Sequence, residues 1–386
     1  MQYDVVIVGG GLAGLAVAAA LRRTPLSVAL VEGQAPALPP AGAWDSRIYA
    51  VSPGNVRFLD DVGIWGHLDP ARLTAVRAMK VCGDAGGRLD FSAHDSGVGE
   101  LAWILEASLM QRELFETVRR QGNLALFCPA RPQALDFAAD SATLSLADGR
   151  RLGAKLIVAA DGADSWTRDA AGMPVRFHGY RQTGVVANFA CAKPHRGIAC
   201  QWFRGDGVLA YLPLPGDMIS IVWSTPDEHA AELLALPPAE FSARVAAAGA
   251  ARLGELELLT PPAGFPLRLM RPPRCVAPRL ALVGDAAHAI HPLSGHGINL
   301  GFQDARVLAG ELAAKPDYID CGDERWLRRY ERARAEEVFA LQTLTDALQR
   351  LFAPRNAALA ALRNFGLNLT NALPVARDAL VRYALR

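Results

Sequence analysis

No stretch of the chain approaches the roughly 18 to 20 consecutive apolar residues that span a bilayer, so no transmembrane helix is expected. The six cysteines (Cys82, Cys128, Cys191, Cys200, Cys275 and Cys321) include no CxxC pair. That argues against a zinc or dithiol redox site and fits reduced thiols in a cytosolic compartment. Neither sign of charge dominates: 40 Lys and Arg stand against 39 Asp and Glu, which gives no reason to expect a nucleic-acid partner. The N-terminus has no basic segment ahead of its apolar run, so no secretory signal is expected. With 51% hydrophobic and 20% charged residues over 386 positions, the chain has the makings of a well-filled core. It is long enough for two domains, or for one large domain with an insertion.

The first forty residues carry the clearest motif. Tyr3 to Val8 (YDVVIV) is β-branched and apolar, the pattern of a strand inside a parallel sheet. Gly9-Gly10-Gly11-Leu12-Ala13-Gly14 follows, then a small-residue helix from Leu15 to Arg22 and a second strand, Ser27 to Val31, ending on Glu32. This is G-x-G-x-x-G in strand–turn–helix context, with a carboxylate 18 positions past the third glycine. Gly9 makes the tight turn, Gly11 lets backbone approach a pyrophosphate, and Gly14 allows close helix–strand packing. The helix N-terminus offers free N–H groups and a positive dipole end. Glu32 can accept both hydroxyls of an adenosine ribose, and its charge repels a 2′-phosphate. FAD or NAD, rather than NADP, fits this pocket.

Residues 33–43 form a proline- and glycine-rich connection. Arg47 to Val51 leads into a helix opened by Ser52-Pro53 and closed before Gly63. Arg47 is either a surface arginine or a cofactor contact. Segments within 73–93 read as strands, and Trp103 to Glu106 runs into a helix from Leu109 to Arg120. Leu144 to Leu152 reads as a hairpin turned at Asp148-Gly149, with Lys155 to Ala160 as a further strand ending on Asp161-Gly162-Ala163-Asp164-Ser165. That second strand-terminal Asp-Gly is either a bare turn or a loop crossing the cofactor. From residue 175 to about 269, Thr183–Phe189, Ile198–Phe203, Leu209–Leu214 and Met218–Ser224 alternate with glycine turns. They predict an antiparallel meander, interrupted by a helix over Pro238–Ala248. Trp202, Phe203, Tyr211 and Trp223 serve either as core or as walls of a cavity beneath this sheet.

A third stretch, Gly284 to Ala305, lies between an apolar strand (Arg279 to Val283) and a helix (Ile298 to Leu312). A strand broken at Gly-Asp that re-enters a helix through Gly295, Gly297 and Gly301 builds a backbone cradle for a polar ligand. His288 and His291 lie three apart with His296 beyond the turn, which makes no metal set, and no metal is expected. Helices follow over Asp323–Phe352, stopped by Pro354, then Asn356–Phe365 and Val375–Leu385. Their arginine-rich faces are either solvated or meet an anionic membrane surface or partner.

GGGLAG at 9–14, DGADS at 161–165, and GDAAH with HPLSGHGINLG over 284–301 together resemble the class A flavoprotein monooxygenases of para-hydroxybenzoate hydroxylase-like fold. Within that class the chain is most similar to the ubiquinone-biosynthesis hydroxylase family. SRIYAV (46–51), GYRQTGVV (179–186), LPLPG and IVWS stand in the family's places, so the resemblance covers nearly the whole chain. It implies an α/β fold with a discontinuous Rossmann-like FAD-binding domain of GR2 type over 1–72, 98–174 and 271–320. An inserted antiparallel β-sheet substrate domain is implied over 73–97 and 175–270, with C-terminal helices over 321–386. The implied cofactor is FAD, with NAD(P)H as electron donor and O2 as co-substrate. The single GxGxxG leaves the donor without a Rossmann domain of its own. The implied reaction hydroxylates the ring of a polyprenylated phenol on the way to ubiquinone. The alternatives are a same-fold hydroxylase of a small soluble aromatic, or a non-catalytic flavoprotein subunit of a biosynthetic assembly. The expected location is cytoplasmic, with peripheral contact at the inner membrane, contact with other quinone-biosynthesis proteins and homo-oligomerisation left open.

Carried over by position, the resemblance gives Gly9, Gly11, Leu12, Ala13, Gly14 and Glu32 to the ADP half of FAD. Arg47, Asp161 and Gly162 would contact the cofactor, the last two also the nicotinamide donor, and Asp285 would bond the ribityl chain. Gly297, Ile298 and Asn299 would lie at the isoalloxazine ring, with Pro292, Gly295 and His296 around the reacting edge as the catalytic surroundings. A helix beginning near Gly297 would aim N–H groups at the anionic pyrimidine edge of reduced flavin, worth about 0.3–2 kcal/mol from the dipole. Two departures stand out: His296 occupies the usual place of glutamine, and Ala107 a place where relatives often carry an amide.

Overall fold

Val5 to Val8 are buried on both faces, which puts Gln2–Val8 (β1) at the centre of a sheet. The structure, a computed structural model, describes residues 1–37, 40, 42–290, 295, 297–352, 357–373, 377–378, 380–382 and 385. After β1 come Leu12–Ala20 (α1), the fully buried Val28–Val31 (β2), Ile48–Val51 (β3) and Pro53–Asp61 (α2). Ser52 caps α2, its hydroxyl accepting the Asn55 amide at 3.4 Å, with proline at the first helical position. Thr74–Val76 (β4), Ala78–Cys82 (β5), Arg88–Ser92 (β6) and Ala102–Glu106 (β7) precede the helix Ala107–Arg119 (α3). Leu124–Phe127 (β8), Pro132–Phe137 (β9), Ala142–Leu146 (β10), Arg151–Ala159 (β11) and Trp166–Ala170 (α4) complete the first half.

The second half opens with a long strand, Arg176–Cys191 (β12), followed by Ile198–Arg204 (β13), Gly207–Leu214 (β14) and Met218–Pro226 (β15). Asp227–Ala235 (α5) and Pro238–Ala248 (α6) lead to Leu256–Leu258 (β16), Ala263–Arg271 (β17), Val276–Ala277 (β18) and Leu280–Leu282 (β19). Gly297–Ala313 (α7), Glu324–Phe352 (α8) and Ala357–Ala372 (α9) follow.

In the first sheet β1 pairs in parallel with β11 and β2, β11 in parallel with β19, and β2 with β8. Apolar side chains of α1, α3 and α7 fill one side of it. On the other side, Leu144, Leu146 and Leu152 of the β10–β11 hairpin pack against Val6, Val8, Ala29 and Ile157. The hairpin and the strand over Lys155 to Ala160 turn out to be one element. β11 runs unbroken from Arg151, antiparallel to β10 and parallel to β1. Exposed Arg151 and Lys155 interrupt the apolar pattern and concealed one strand whose two edges meet different partners.

The second sheet runs β16-β12-β15-β14-β13-β5-β6, with β17 also on β12. Trp223, Tyr211, Phe189 and Phe241 form its core against α5 and α6, so Trp223 and Tyr211 act as packing residues, and Phe203 is buried in a second cluster. Thr74–Val76 departs from its neighbours and joins a small separate sheet with β3 and β7. α9 continues through Gly366 to Ala372, beyond the expected end at Phe365. Its last turns gain tertiary partners in the β5–β6 hairpin that local propensity does not reveal. The expected stop at Pro354 and the helix start at Asn356 lie outside the described residues. The expected helix over Val375–Leu385 is described only in part, and is helical at 377–378 and 380–382.

Candidate functional site

The fingerprint glycines divide by what surrounds them. A Cβ on Gly9 would sit 2.4 Å from the Ala160 carbonyl oxygen, and one on Gly14 2.0 Å from that of Gly9. Both are therefore required by close packing of β1, α1 and the end of β11. A Cβ on Gly11, Gly162 or Gly297 would meet nothing within 4 Å. Those three positions border open space, as a bound cofactor requires. Gly11 caps α1 without a side-chain hydrogen bond, so the N–H groups at Leu12 and Ala13 belong to a helix start open to an anion.

Gly10 matters for a different reason. Its amide donates to Glu32 Oε2 at 2.5 Å, and a Cβ there would collide with the Glu32 side chain at 2.8 Å. The Gln34 amide donates to Glu32 Oε1 at 2.9 Å. A carboxylate offers about four lone-pair sites, so two remain for a pair of vicinal hydroxyls. Gln111, on α3, donates to the Gly10 carbonyl at 2.9 Å. It places an amide one turn beyond Ala107, against the same fingerprint turn.

The Gly284 turn is held from behind by a buried ionic cluster. Asp304 Oδ2 accepts the Gly284 amide at 2.9 Å and lies 2.6 Å from His288 Nε2. Its other oxygen accepts Arg334 Nε at 2.7 Å. Burial alone would lower His288, but the Asp304 carboxylate outweighs it, and the imidazole is raised above its usual value. Burial would likewise raise Asp304, yet His288 and Arg334 hold it below the usual carboxylate range. Among the described residues no group of His, Cys, Asp and Glu forms a metal site.

Asp285 is open to solvent, yet protein surrounds its carboxyl closely enough that desolvation pushes it upward, against the pull of His288 and Arg47. Accessible and desolvated together describe a group lining a cleft. Burial similarly pushes Tyr49 up to about 12, with Arg47 opposing and Asp285 reinforcing the shift. Asp285 thus comes up to Arg47 and Tyr49, which lie far from it in sequence.

The loop carrying Arg47 is anchored on both sides. Buried Glu106 accepts the Asp45 amide at 2.7 Å and two Arg72 donors at 2.7 Å each. Asn188, from the second sheet, donates to the Asp45 carbonyl at 2.9 Å. Asn299 ties α7 to the same region: its side chain accepts from the Ser52 amide at 2.9 Å and donates to the Ala50 carbonyl at 2.8 Å. That amide is fully occupied by protein, so only its main chain is available to a ligand. Ile298 packs at the edge of the core, and Gly295 sits at φ +62° with Ala50 nearby.

Asp161 is similarly engaged. Its carboxylate accepts the Ser165 hydroxyl, and the Thr167 amide and hydroxyl at 2.9 Å each, closing the start of α4. Buried Arg168 donates to the carbonyls of Ala163 at 3.0 Å and Ala286 at 3.3 Å, bridging the Asp161 and Asp285 loops. Ala13 lies where Gly284 and Gly301 leave room, so α1, α7 and the Gly284 turn share one contact. The three motifs therefore meet. Pro292 and His296, with His291 beside them, lie outside the described residues.

Gly10, Tyr49, Gln111, Arg168 and Asp304 were not given roles by the motifs. One signal was available for Asp304: it occupies the middle of Leu300, Asp304 and Leu308, an acid at the i+4 position of a buried stripe.

The chain matches the FAD-binding-domain family over residues 2–345. It is 34% identical to a ubiquinone hydroxylase, UbiL, of Rhodospirillum rubrum, over 99% of this chain and 89% of that protein. It is 31% identical to the 3-demethoxyubiquinol 3-hydroxylase of Escherichia coli, covering 99% and 98% of the two chains. Among solved structures, PqsL of P. aeruginosa in complex with 2-aminobenzoylacetate shares the fold at TM-score 0.78 and 24% identity, over 95% of this chain and 100% of that one.

Proposed function

We propose, for a chain that belongs to the class A FAD-dependent aromatic monooxygenases and within them to the ubiquinone-biosynthesis hydroxylase family, that its substrate is a polyprenylated phenol hydroxylated on the way to ubiquinone. The observation that carries this reading is end-to-end similarity to proteins of that name, in a chain whose three motif segments converge on one cleft. Bound FAD supplies hydride acceptance from NAD(P)H and activation of O2.

The chain's own residues would bind, orient and screen. Glu32, fixed by the Gly10 and Gln34 amides, would receive the adenosine ribose. The start of α1 at Gly11, Leu12 and Ala13 would receive the pyrophosphate. Asp285 would bond the ribityl chain, with Arg47 opposite it. The first N–H groups of α7, at Gly297, Ile298 and Asn299, would face the pyrimidine edge, Asn299 acting through its main chain. Asp161 would act by shaping its loop, leaving Gly162 as the open position. Pro292, Gly295 and His296 keep their proposed place around the reacting edge. The domain limits given above, and a cytoplasmic site of action against the inner membrane, form part of the same proposal.

Loss of the gene, with identification of the quinone precursor that accumulates, tests the substrate. A prenylated phenol lacking one ring hydroxyl is the precursor expected to accumulate. Accumulation of no such compound sinks the substrate assignment, and NAD(P)H-dependent O2 uptake stimulated by a small soluble phenol would then favour that class instead.

A further inference from the structure

α9 docks on the protein through one apolar and several polar contacts, with Leu367 packed on the Val81, Leu89, Phe203 and Val208 cluster. Beside Leu367, Asn364, Asn368 and Asn371, spaced about one helical turn apart, each accept a main-chain N–H from the β5–β6 hairpin. Asn364 accepts Gly87 at 2.7 Å, Asn368 accepts Arg88 at 2.9 Å and Asn371 accepts Asp90 at 2.9 Å. β6 is the last strand of its sheet, so these amides cover the donors of an open edge. The fit is specific, because a Cβ on Gly83 or Gly87 would strike the Asn364 oxygen at 2.0 or 2.4 Å. The one charged residue of α9, Arg363, is buried and paired with Asp84.

The adjoining face is apolar and open. Ala361, Phe365, Leu369, Ala372 and Leu373 follow the i, i+4, i+8, i+11, i+12 pattern of one stripe. Phe365 is 63% exposed, Leu369 48% and Leu373 49%. A helix exposed to water places polar residues outward; this one spends its asparagines on the hairpin and leaves Phe365, Leu369 and Leu373 outward, so that face is matched to an apolar medium.

Charge identifies that medium. After Asp346 the sequence contains six arginines (Arg350, Arg355, Arg363, Arg377, Arg382 and Arg386) and one acid, Asp378. Arg350 and Arg382 are exposed, and the Arg377 amide bonds the Leu373 carbonyl one turn past the stripe. Arg350 pairs with Asp346 and Arg363 with Asp84, which leaves Arg355, Arg377, Arg382 and Arg386 against Asp378; apolar residues in a segment with that excess of arginine complement the interface of an anionic bilayer. No helix among the described residues is long and apolar enough to cross one.

We propose that the outer face of α9, with the arginines that flank it, docks this protein peripherally on an anionic lipid surface. The inference does not rest on the proposed substrate and survives its failure. The test is co-sedimentation of the FAD-loaded, full-length protein with phosphatidylcholine vesicles, with and without about 30% phosphatidylglycerol. The wild type is expected to pellet with the anionic vesicles only, and less as salt rises from about 0.1 to 0.5 M. Phe365→Ser with Leu369→Ser should lower the bound fraction about tenfold while leaving the flavin spectrum and melting temperature unchanged. Should that pair fail to fold, Leu373→Ser and Arg382→Glu carry the same comparison. A wild type that stays in the supernatant overturns the proposal, as does a set of folded variants that bind as well as wild type. Sedimentation velocity showing a dimer that the serine pair dissociates would overturn it in favour of a second copy as the occupant.

Discussion

Glu32 carries two main-chain hydrogen bonds before any ligand arrives, and that preorganisation sets its role. Glu32→Gln removes the charge that orders the Gly10 and Gln34 amides and that excludes a 2′-phosphate. A hydrogen bond to a charged group contributes about 1.5–3 kcal/mol, so FAD binding should weaken by about 10- to 150-fold. Gly10→Ala should act in the same direction, because its Cβ enters the Glu32 side chain. Flavin fluorescence titration reads both, and an unchanged dissociation constant in either variant would remove Glu32 from the ribose. The Asp304 cluster gives a pH signature. His288 is raised in the folded state, so its contribution is fully present below about 6.5, the unfolded value, and is lost as pH rises through the folded value. Asp304 is lowered, so its contribution is present above its unfolded value and lost as pH falls through the folded one. Asp304→Asn leaves Arg334 and His288 buried without their partner, at a cost of about 3–5 kcal/mol. Melting temperatures of the wild type should decline from slightly acid to alkaline pH, and the variant's decline should be flatter. Parallel curves would show that the pair does not titrate with folding.

At the scale of elements, what a helix does depends on what its ends and faces meet. α7 starts at Gly297 with its N-terminus at the cleft and its buried face on α1, where Ala13 lies against Gly284 and Gly301. Its start and its apolar period were legible in the sequence. The anchoring of Asn299 to Ser52 and Ala50 was not, since those partners lie some 250 residues away. α9 shows the reverse, with weak local signals and strong tertiary bonds. Asn364→Ala should leave the Gly87 amide without its acceptor, costing about 1–3 kcal/mol. The expected result is faster tryptic cleavage at Arg363, which wild-type packing buries. An unchanged digestion pattern would mean that α9 docks without its asparagines.

For the whole molecule, the site joins segments near residues 10, 32, 47, 162, 285 and 297, so a ligand that bridges them should bind the folded chain alone. FAD at about 100 times its dissociation constant should add about 2.7 kcal/mol of stability. Melting temperature rising with FAD concentration checks this, and a temperature independent of FAD would separate the cofactor site from global folding. Arg168, buried between two of these loops, should transmit part of that effect: Arg168→Met should shrink the FAD-dependent shift.

The sequence by itself determined the dinucleotide fingerprint, the carboxylate at the end of β2 and the glycine-rich entry to α7, because each is a local requirement of backbone geometry or charge. It also carried the two-part strand pattern, continuous where both faces are buried and alternating where one is. Only the tertiary structure decided that Asp161 closes its own helix while Asp285 lines the cleft, although both follow a strand as an Asp-Gly or Gly-Asp pair. It alone decided that Asp304 and His288 stand behind the Gly284 turn, and that the asparagines of α9 face inward. The physical reason is the same in each case. A polar side chain's role is set by the partner that satisfies it, and those partners arrive from elsewhere in the chain.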